Sequence, residues 1–131
     1  MVNKTWCELY NAARKVLRPR KVSKFIETAG VAAAIESLSG NIYVGVCVDG
    51  ACTLGICAER NAIFNMLTNG EDGIKKVVAV NWDGKAIPPC GACRELMAQL
   101  MPNEYQNIEI MLDYEKNEIV TLGELTPKWW I

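Results

Sequence analysis

Cys90 and Cys93 stand three residues apart in Pro89-Cys90-Gly91-Ala92-Cys93, where a helical pattern begins. A helix start turns both sulfurs toward one point, and its N-terminus lowers thiol pKa and favours anions. Alone, a C-x-x-C spacing is open between metal binding, dithiol redox chemistry and chance. The redox reading needs a thioredoxin-like strand before the motif and a disulfide that cycles. The chain has six cysteines and no histidine. That excludes a Ser-His-Asp triad, a Cys-His pair, an H-E-x-x-H metalloprotease and any histidine metal ligand. A site on this chain must be made of thiolates, carboxylates, hydroxyls and amines.

Cys57 shifts the balance toward metal. It lies in Ile56-Cys57-Ala58-Glu59-Arg60, a second junction between a strand, a loop and a helix. Two helices starting at one edge of a sheet can aim their N-termini at a common ion. Three thiolates and an open fourth position describe a catalytic zinc site. Glu59 would stand beside the open position without being a ligand. Cys-Ala-Glu followed by Pro-Cys-x-x-Cys is the three-cysteine form of the zinc nucleobase-deaminase signature. The competing reading adds Cys52 as a fourth ligand, making a closed, non-catalytic structural zinc module. Glu59 and Arg60 would then have no purpose. Cys7 and Cys47 read as small buried residues.

The elements that must hold these residues follow from changes in hydrophobic period. Residues 2–17 read as a helix, with Trp6, Leu9, Tyr10, Ala13, Val16 and Leu17 on one stripe before Pro19. Apolar runs at 31–35 and 42–48 flank Ser39-Gly40-Asn41, a hairpin signal. Residues 57–68 look helical, with Ile63, Met66 and Leu67 spaced for burial and Asn69-Gly70 as a stop. The run 74–82 reads as a strand buried on both faces; Trp82 ends it near the site loop and reads as core in preference to a substrate platform. A third helix spans about 91–101, carrying Ala92, Leu96, Met97, Leu100 and Met101. A second hairpin joins 108–112 to 118–120, and a helical turn at 121–125 precedes Pro127. The order α-ββ-α-β-α-ββ-α predicts one α/β domain over 1–131, a five-stranded, partly parallel sheet covered by helices.

Composition narrows the function further. The 131 residues are half hydrophobic with a net charge of −1, which excludes an intrinsically disordered chain. A pI of about 5.5 argues against sequence-independent nucleic-acid binding. The basic run from Arg14 to Lys24 reads as a solvated helix end and loop. The N-terminal residues carry charge throughout, unlike a signal peptide, and no stretch approaches the ~20 apolar residues of a membrane span. A soluble, cytoplasmic protein with reduced cysteines is the expectation.

In these segments the chain resembles the small cytidine deaminases, tetramers with one zinc per subunit. The resemblance covers roughly residues 29–130. It is strongest over Leu54-Gly55-Ile56-Cys57-Ala58-Glu59-Arg60 and Pro89-Cys90-Gly91-Ala92-Cys93-Arg94-Glu95, with Val31-Ala32-Ala33-Ala34 and Glu124-Leu125-Thr126-Pro127 also fitting. It implies a three-layer α/β/α fold with a mixed sheet, and conversion of a cytosine nucleoside to the uracil nucleoside with release of ammonia. It implies Cys57, Cys90 and Cys93 as zinc ligands and Glu59 as proton shuttle. The backbone N–H of Ala58 would meet the pyrimidine 2-oxygen, and the carbonyl of Pro88 the leaving amino group. Proline suits the second role, since it keeps its C=O while lacking an N–H. Zinc with three thiolates carries −1, and an ionised Glu59 adds to it. Two helix N-termini supply about +0.5 each. Arg60, one turn into its helix, can drain charge from a sulfur. Arg94 is open between the same task and an ion pair with Glu95 or Glu59. Trp130 matches a terminal aromatic residue that reaches a neighbouring subunit's site, or it simply packs the tail.

The sugar pocket departs from the family pattern. Where an asparagine and a glutamate hold the ribose 3′-hydroxyl, this chain has Cys47 and Asp49. Cysteine is a weak donor and acceptor, and aspartate is one methylene shorter. The loop 50–54 is one residue short, and Ala29 replaces an aromatic residue, with Phe25 nearby. Two substrates therefore stand: cytidine or deoxycytidine, or a modified cytosine nucleoside, as in the related blasticidin-S deaminases. A nucleic-acid editing deaminase is disfavoured by the acidic pI and the short chain.

Overall fold

The structure, a computed structural model, describes residues 4–131. The first helix, α1 (Trp6–Val16), starts at a capping box: the Thr5 hydroxyl accepts from Glu8 N–H at 3.1 Å, and Thr5 N–H donates to Glu8 Oε2 at 2.7 Å. Such a cap is worth about 1 kcal/mol. Positions 2 and 3 of the expected helix lie outside the described residues. Leu9, Tyr10 and Ala13 of the expected stripe are buried, with Trp6, Val16 and Leu17 packed around them. Arg14 and Lys15 sit in the last turn, and the basic run continues exposed into β1 (Arg20–Lys21), as expected of a solvated helix end.

Next comes the hairpin of β2 (Glu27–Ser37) and β3 (Ile42–Asp49), then α2 (Ala58–Thr68), β4 (Ile74–Asn81), β5 (Ala86–Ile87) and α3 (Gly91–Leu100). A 3-10 turn (Tyr105–Asn107) leads to β6 (Glu109–Asp113), β7 (Glu118–Thr121) and α4 (Leu122–Leu125). β2 lies between β3 and β4, both antiparallel to it; β6 runs parallel to β4, and β7 closes the order antiparallel. The sheet thus has seven strands instead of five. The two extra ones, β1 and β5, are two residues long and pair with β2 and β4. A two-residue strand carries no hydrophobic alternation, so periodicity could not signal it. The parallel pair is the one with α3 between its strands, since a parallel connection needs a crossover.

Alternation along β2 divides the core. Ala32 and Ala34 face α1 together with Val78, Val80 and Met111. Ala33 and Ile35 face α2 and α3 together with Val77, Ala79 and Ile110, against Ile63, Met66 and Met97. Three layers result, and each of these large side chains contributes about 1.5–3 kcal/mol on burial. Gly45 on β3 sets the depth of α2. A Cβ there would stand 2.3 Å from the backbone nitrogen of Ala62 and 2.8 Å from the carbonyl oxygen of Ala58. The missing side chain lets α2 lie directly on the sheet and so fixes where its N-terminus points.

Candidate metal centre

Cys57 is the N-cap residue of α2 and Cys90 the N-cap residue of α3; neither makes a side-chain cap bond. Cys93 lies in the first turn of α3, fully buried. The three sulfurs all lie within 4.8 Å of one another, with Cys57–Cys90 at 3.4 Å and Cys90–Cys93 at 3.5 Å. Tetrahedral zinc–sulfur bonds of about 2.3 Å would set sulfurs ~3.8 Å apart, so the cluster fits one zinc ion with little movement. Three soft donors leave a fourth position for a small molecule. Cys52 is exposed on the loop after β3 and is not one of this group.

The surroundings act differently on the individual groups. Burial pushes the Cys93 thiol well above its usual range, and the negative charge of Glu59 pushes the same way. Partial burial also acts against ionisation at Cys90. There, hydrogen bonds from the backbone of Cys93 and Ala92 and from the neighbouring thiols bring the net shift below the ordinary value. Arg60 approaches Cys57 Sγ with Nη2 at 3.5 Å, while its Nε is buried without a partner. Its hydrogen bond to Cys57 raises its own pKa against the effect of burial. Glu59, only 4% exposed, has its carboxyl pushed up by desolvation, with Arg60 opposing. A carboxyl so placed takes up a proton more readily than one in water.

The remaining predicted site residues are distributed around this centre. Ala58 begins α2 and is buried; its N–H is one of the first four, which have no acceptor within a helix. Pro88 is exposed in the loop between β5 and α3. A concavity of about 420 Å³ opens on Cys57 and Arg60 and takes in Cys47 and Asp49. The Cys47 sulfur accepts Val31 N–H at 3.2 Å, beside the register shift between Thr28 and Ala32 where Ala29 has φ +63°. Cys47 is therefore half-buried and engaged, and Cys7, expected buried, is exposed.

Arg94 takes neither of its expected partners. Its Nε donates to the Pro89 carbonyl at 2.8 Å and its Nη1 to the Leu125 carbonyl at 3.0 Å, tying the loop before Cys90 to α4. Glu95 instead accepts from Trp130 Nε1 at 2.7 Å, and the Trp130 ring is 72% exposed. Trp82 corrects another expectation. It is 69% exposed and lines the concavity with Asn81, because β4 ends one residue earlier and the chain turns there. Asn81 carried no signal in the sequence; it is a strand end that the fold brings beside Val31.

Comparison with known proteins agrees with this geometry. The family model for the cytidine and deoxycytidylate deaminase zinc-binding region matches residues 8–106. A cytidine deaminase of Halalkalibacterium halodurans is 34% identical over 98 residues, covering 74% of each chain. A blasticidin-S deaminase of Bacillus cereus is 30% identical over 106 residues, again covering 74% of both. Among solved structures, the cytidine deaminase of Mycobacterium leprae superposes with a TM-score of 0.76 at 27% identity, over 96% of this chain and 100% of that one. The chain therefore belongs to the cytidine and deoxycytidylate deaminases, zinc-binding hydrolases, and its three thiols are positioned to hold the metal.

Proposed function

We propose that the protein hydrolytically deaminates a cytosine nucleoside, with Cys57, Cys90 and Cys93 holding zinc. The observation that carries this reading is the convergence of three thiols at two helix starts beside a buried carboxyl. When bound, zinc supplies a Lewis acid that brings the pKa of coordinated water toward about 7. Glu59 takes a proton from water and delivers it to ring N3 as the water oxygen bonds to C4; it then carries the proton of the new C4 hydroxyl to the amino group, which leaves as ammonia when the C4–N bond breaks. General acid–base help of this kind is worth ~10²–10⁴-fold. The Ala58 N–H donates to the pyrimidine 2-oxygen, and the Pro88 carbonyl accepts from the amino group. Arg60 withdraws negative charge from Cys57, and Arg94 braces the Cys90 loop through Pro89.

Cytidine and deoxycytidine are the first substrates of this reading. A modified cytosine nucleoside such as blasticidin S is the second, favoured by one observation: the Cys47 sulfur is engaged by Val31 N–H, which leaves Asp49 to meet a sugar hydroxyl. Trp130, reaching outward, is assigned to a neighbouring subunit's site within a homotetramer of one-domain chains. Salvage of pyrimidines in the cytoplasm is the setting that goes with the first substrates. No helix among the described residues is long and apolar enough to cross a membrane.

A deamination panel of cytidine, deoxycytidine, cytosine and blasticidin S, read by ultraviolet change, tests the reading together with Glu59→Gln. The variant is expected to keep about one zinc per chain and to lose ammonia release. Wild-type protein that deaminates nothing in the panel, or that holds zinc with Cys52 in the coordination shell, would overturn it.

A further inference from the structure

The concavity beside the thiols has one wall that the chemistry above leaves without a task. Trp82 contributes to it with 69% of its surface exposed. A single exposed aromatic residue is ordinary on a protein surface; Trp82 differs in lining the concavity that also takes in Cys57 and Arg60. The turn that carries it is also held in place. Asn81 N–H donates to the Lys85 carbonyl and Gly84 N–H to the Asn81 carbonyl, both at 2.8 Å, closing a tight turn with Trp82 at its first corner. Gly84 takes φ +84°, a conformation that suits glycine. From the other side of the sheet, the Tyr10 hydroxyl donates to the Gly84 carbonyl and pins the turn to α1. An exposed, flat indole carried on an anchored turn, lining the same concavity as Cys57 and Arg60, is what a planar ligand needs.

We infer that Trp82 is the aromatic platform against which the nucleoside packs, and hence a residue that sets substrate affinity and specificity. This rests on the deaminase reading of the site and extends it. The substrate class it selects is a nucleoside with a flat face, held by stacking on one side while Asn81 and Asp49 line the rest of the groove. Stacking tolerates changes in hydroxyl pattern, because a π-face contact reads shape and not donors. It thus supplies binding where Cys47 is already engaged by the backbone. Trp82 makes no proton transfer, so its contribution is common to ground state and transition state and belongs in KM.

The experiment compares wild type, Trp82→Ala and Trp82→Phe as zinc-loaded proteins, with the best nucleoside of the panel as substrate and uridine as a non-reacting probe. Removing a stacked aromatic ring is expected to raise KM and the uridine Kd by roughly 10-fold, with kcat within about twofold. Because the ring is exposed, Trp82→Ala should melt with the wild type and retain its zinc. Trp82→Phe should recover most of the affinity, yet lose the quenching of indole fluorescence that uridine causes in the wild type. An active wild type whose KM and uridine Kd are unchanged in Trp82→Ala overturns the role of Trp82 and leaves the deaminase reading standing. A wild type that deaminates no nucleoside overturns both.

Discussion

Three thiolates around a dication leave one negative charge, and an ionised Glu59 brings a second into a buried space. Arg60 is the counterweight, with Nη2 at 3.5 Å from Cys57 Sγ. Replacing it with alanine keeps all three metal ligands but returns charge to the sulfur and weakens the metal's pull on water. Loss of such an outer partner typically costs about 10–100-fold in activity or metal affinity. Arg60→Ala is therefore expected to lower kcat/KM by that range, with Arg60→Lys recovering part; zinc content and steady-state kinetics check it, and full activity in the alanine variant would refute the charge account. At this scale the convergence of the three thiols was legible in the sequence, because spacing at a helix start dictates where sulfurs point. Arg94, Trp82 and Asn81 were not. Arg94 meets the nearby Pro89 carbonyl and the distant one of Leu125, while Trp82 and Asn81 line a groove built from several segments, and a residue's type does not reveal what the fold lays beside it.

Cysteine at an N-cap position is a poor local choice: Ser, Thr, Asp or Asn there would satisfy an N–H and stabilise the helix by ~0.5–2 kcal/mol. The helices without a metal-site residue at their start follow the rule, with Thr5 and Thr121 each completing a capping box. The two helices that begin at Cys57 and Cys90 break it. Their broken local rule is the mark of the site. What periodicity could not reveal was how closely α2 approaches the sheet, since that depends on Gly45 being opposite Ala58 and Ala62. A methyl group at Gly45 meets backbone atoms that cannot rotate away, so α2 must shift. Gly45→Ala is expected to destabilise the fold by about 1–3 kcal/mol, the range for overpacking. It should also loosen zinc by moving Cys57 away from Cys90 and Cys93. Thermal melting and a chelator competition measure the two effects; a Gly45→Ala protein with unaltered Tm and zinc affinity would show that α2 is not placed by this contact.

Across the whole molecule, the end of α2 away from the metal is fastened separately. Glu71, in the connection from α2 to β4, accepts from the Ser39 hydroxyl, from Asn41 Nδ2 at 2.8 Å and from the Tyr43 hydroxyl. It thereby ties the β2–β3 hairpin to the connection leaving α2, about 16 Å along the helix from its cysteine end at 1.5 Å per residue. The hydroxyl of Ser39 and then those donors hold the Glu71 carboxyl down to about 2, from an ordinary 4.5. The sign follows from linkage. A carboxylate whose pKa is depressed by folding stabilises the fold above its unfolded pKa, and that contribution fades as pH falls through the folded value. Glu71→Gln keeps an acceptor but loses the charge that strengthens all three bonds. Its Tm should fall below that of the wild type at pH 7. The gap should narrow between pH 4.5 and about 2 as the wild-type carboxylate takes up its proton. Deamination at pH 7 should not change, because no atom of this cluster reaches the thiols or the groove beside them. Melting curves of both proteins across that range decide the matter. A gap that persists undiminished at pH 2 would mean that glutamine fails for its shape, not its charge, and no gap at pH 7 would mean that the far end of α2 is held by packing alone.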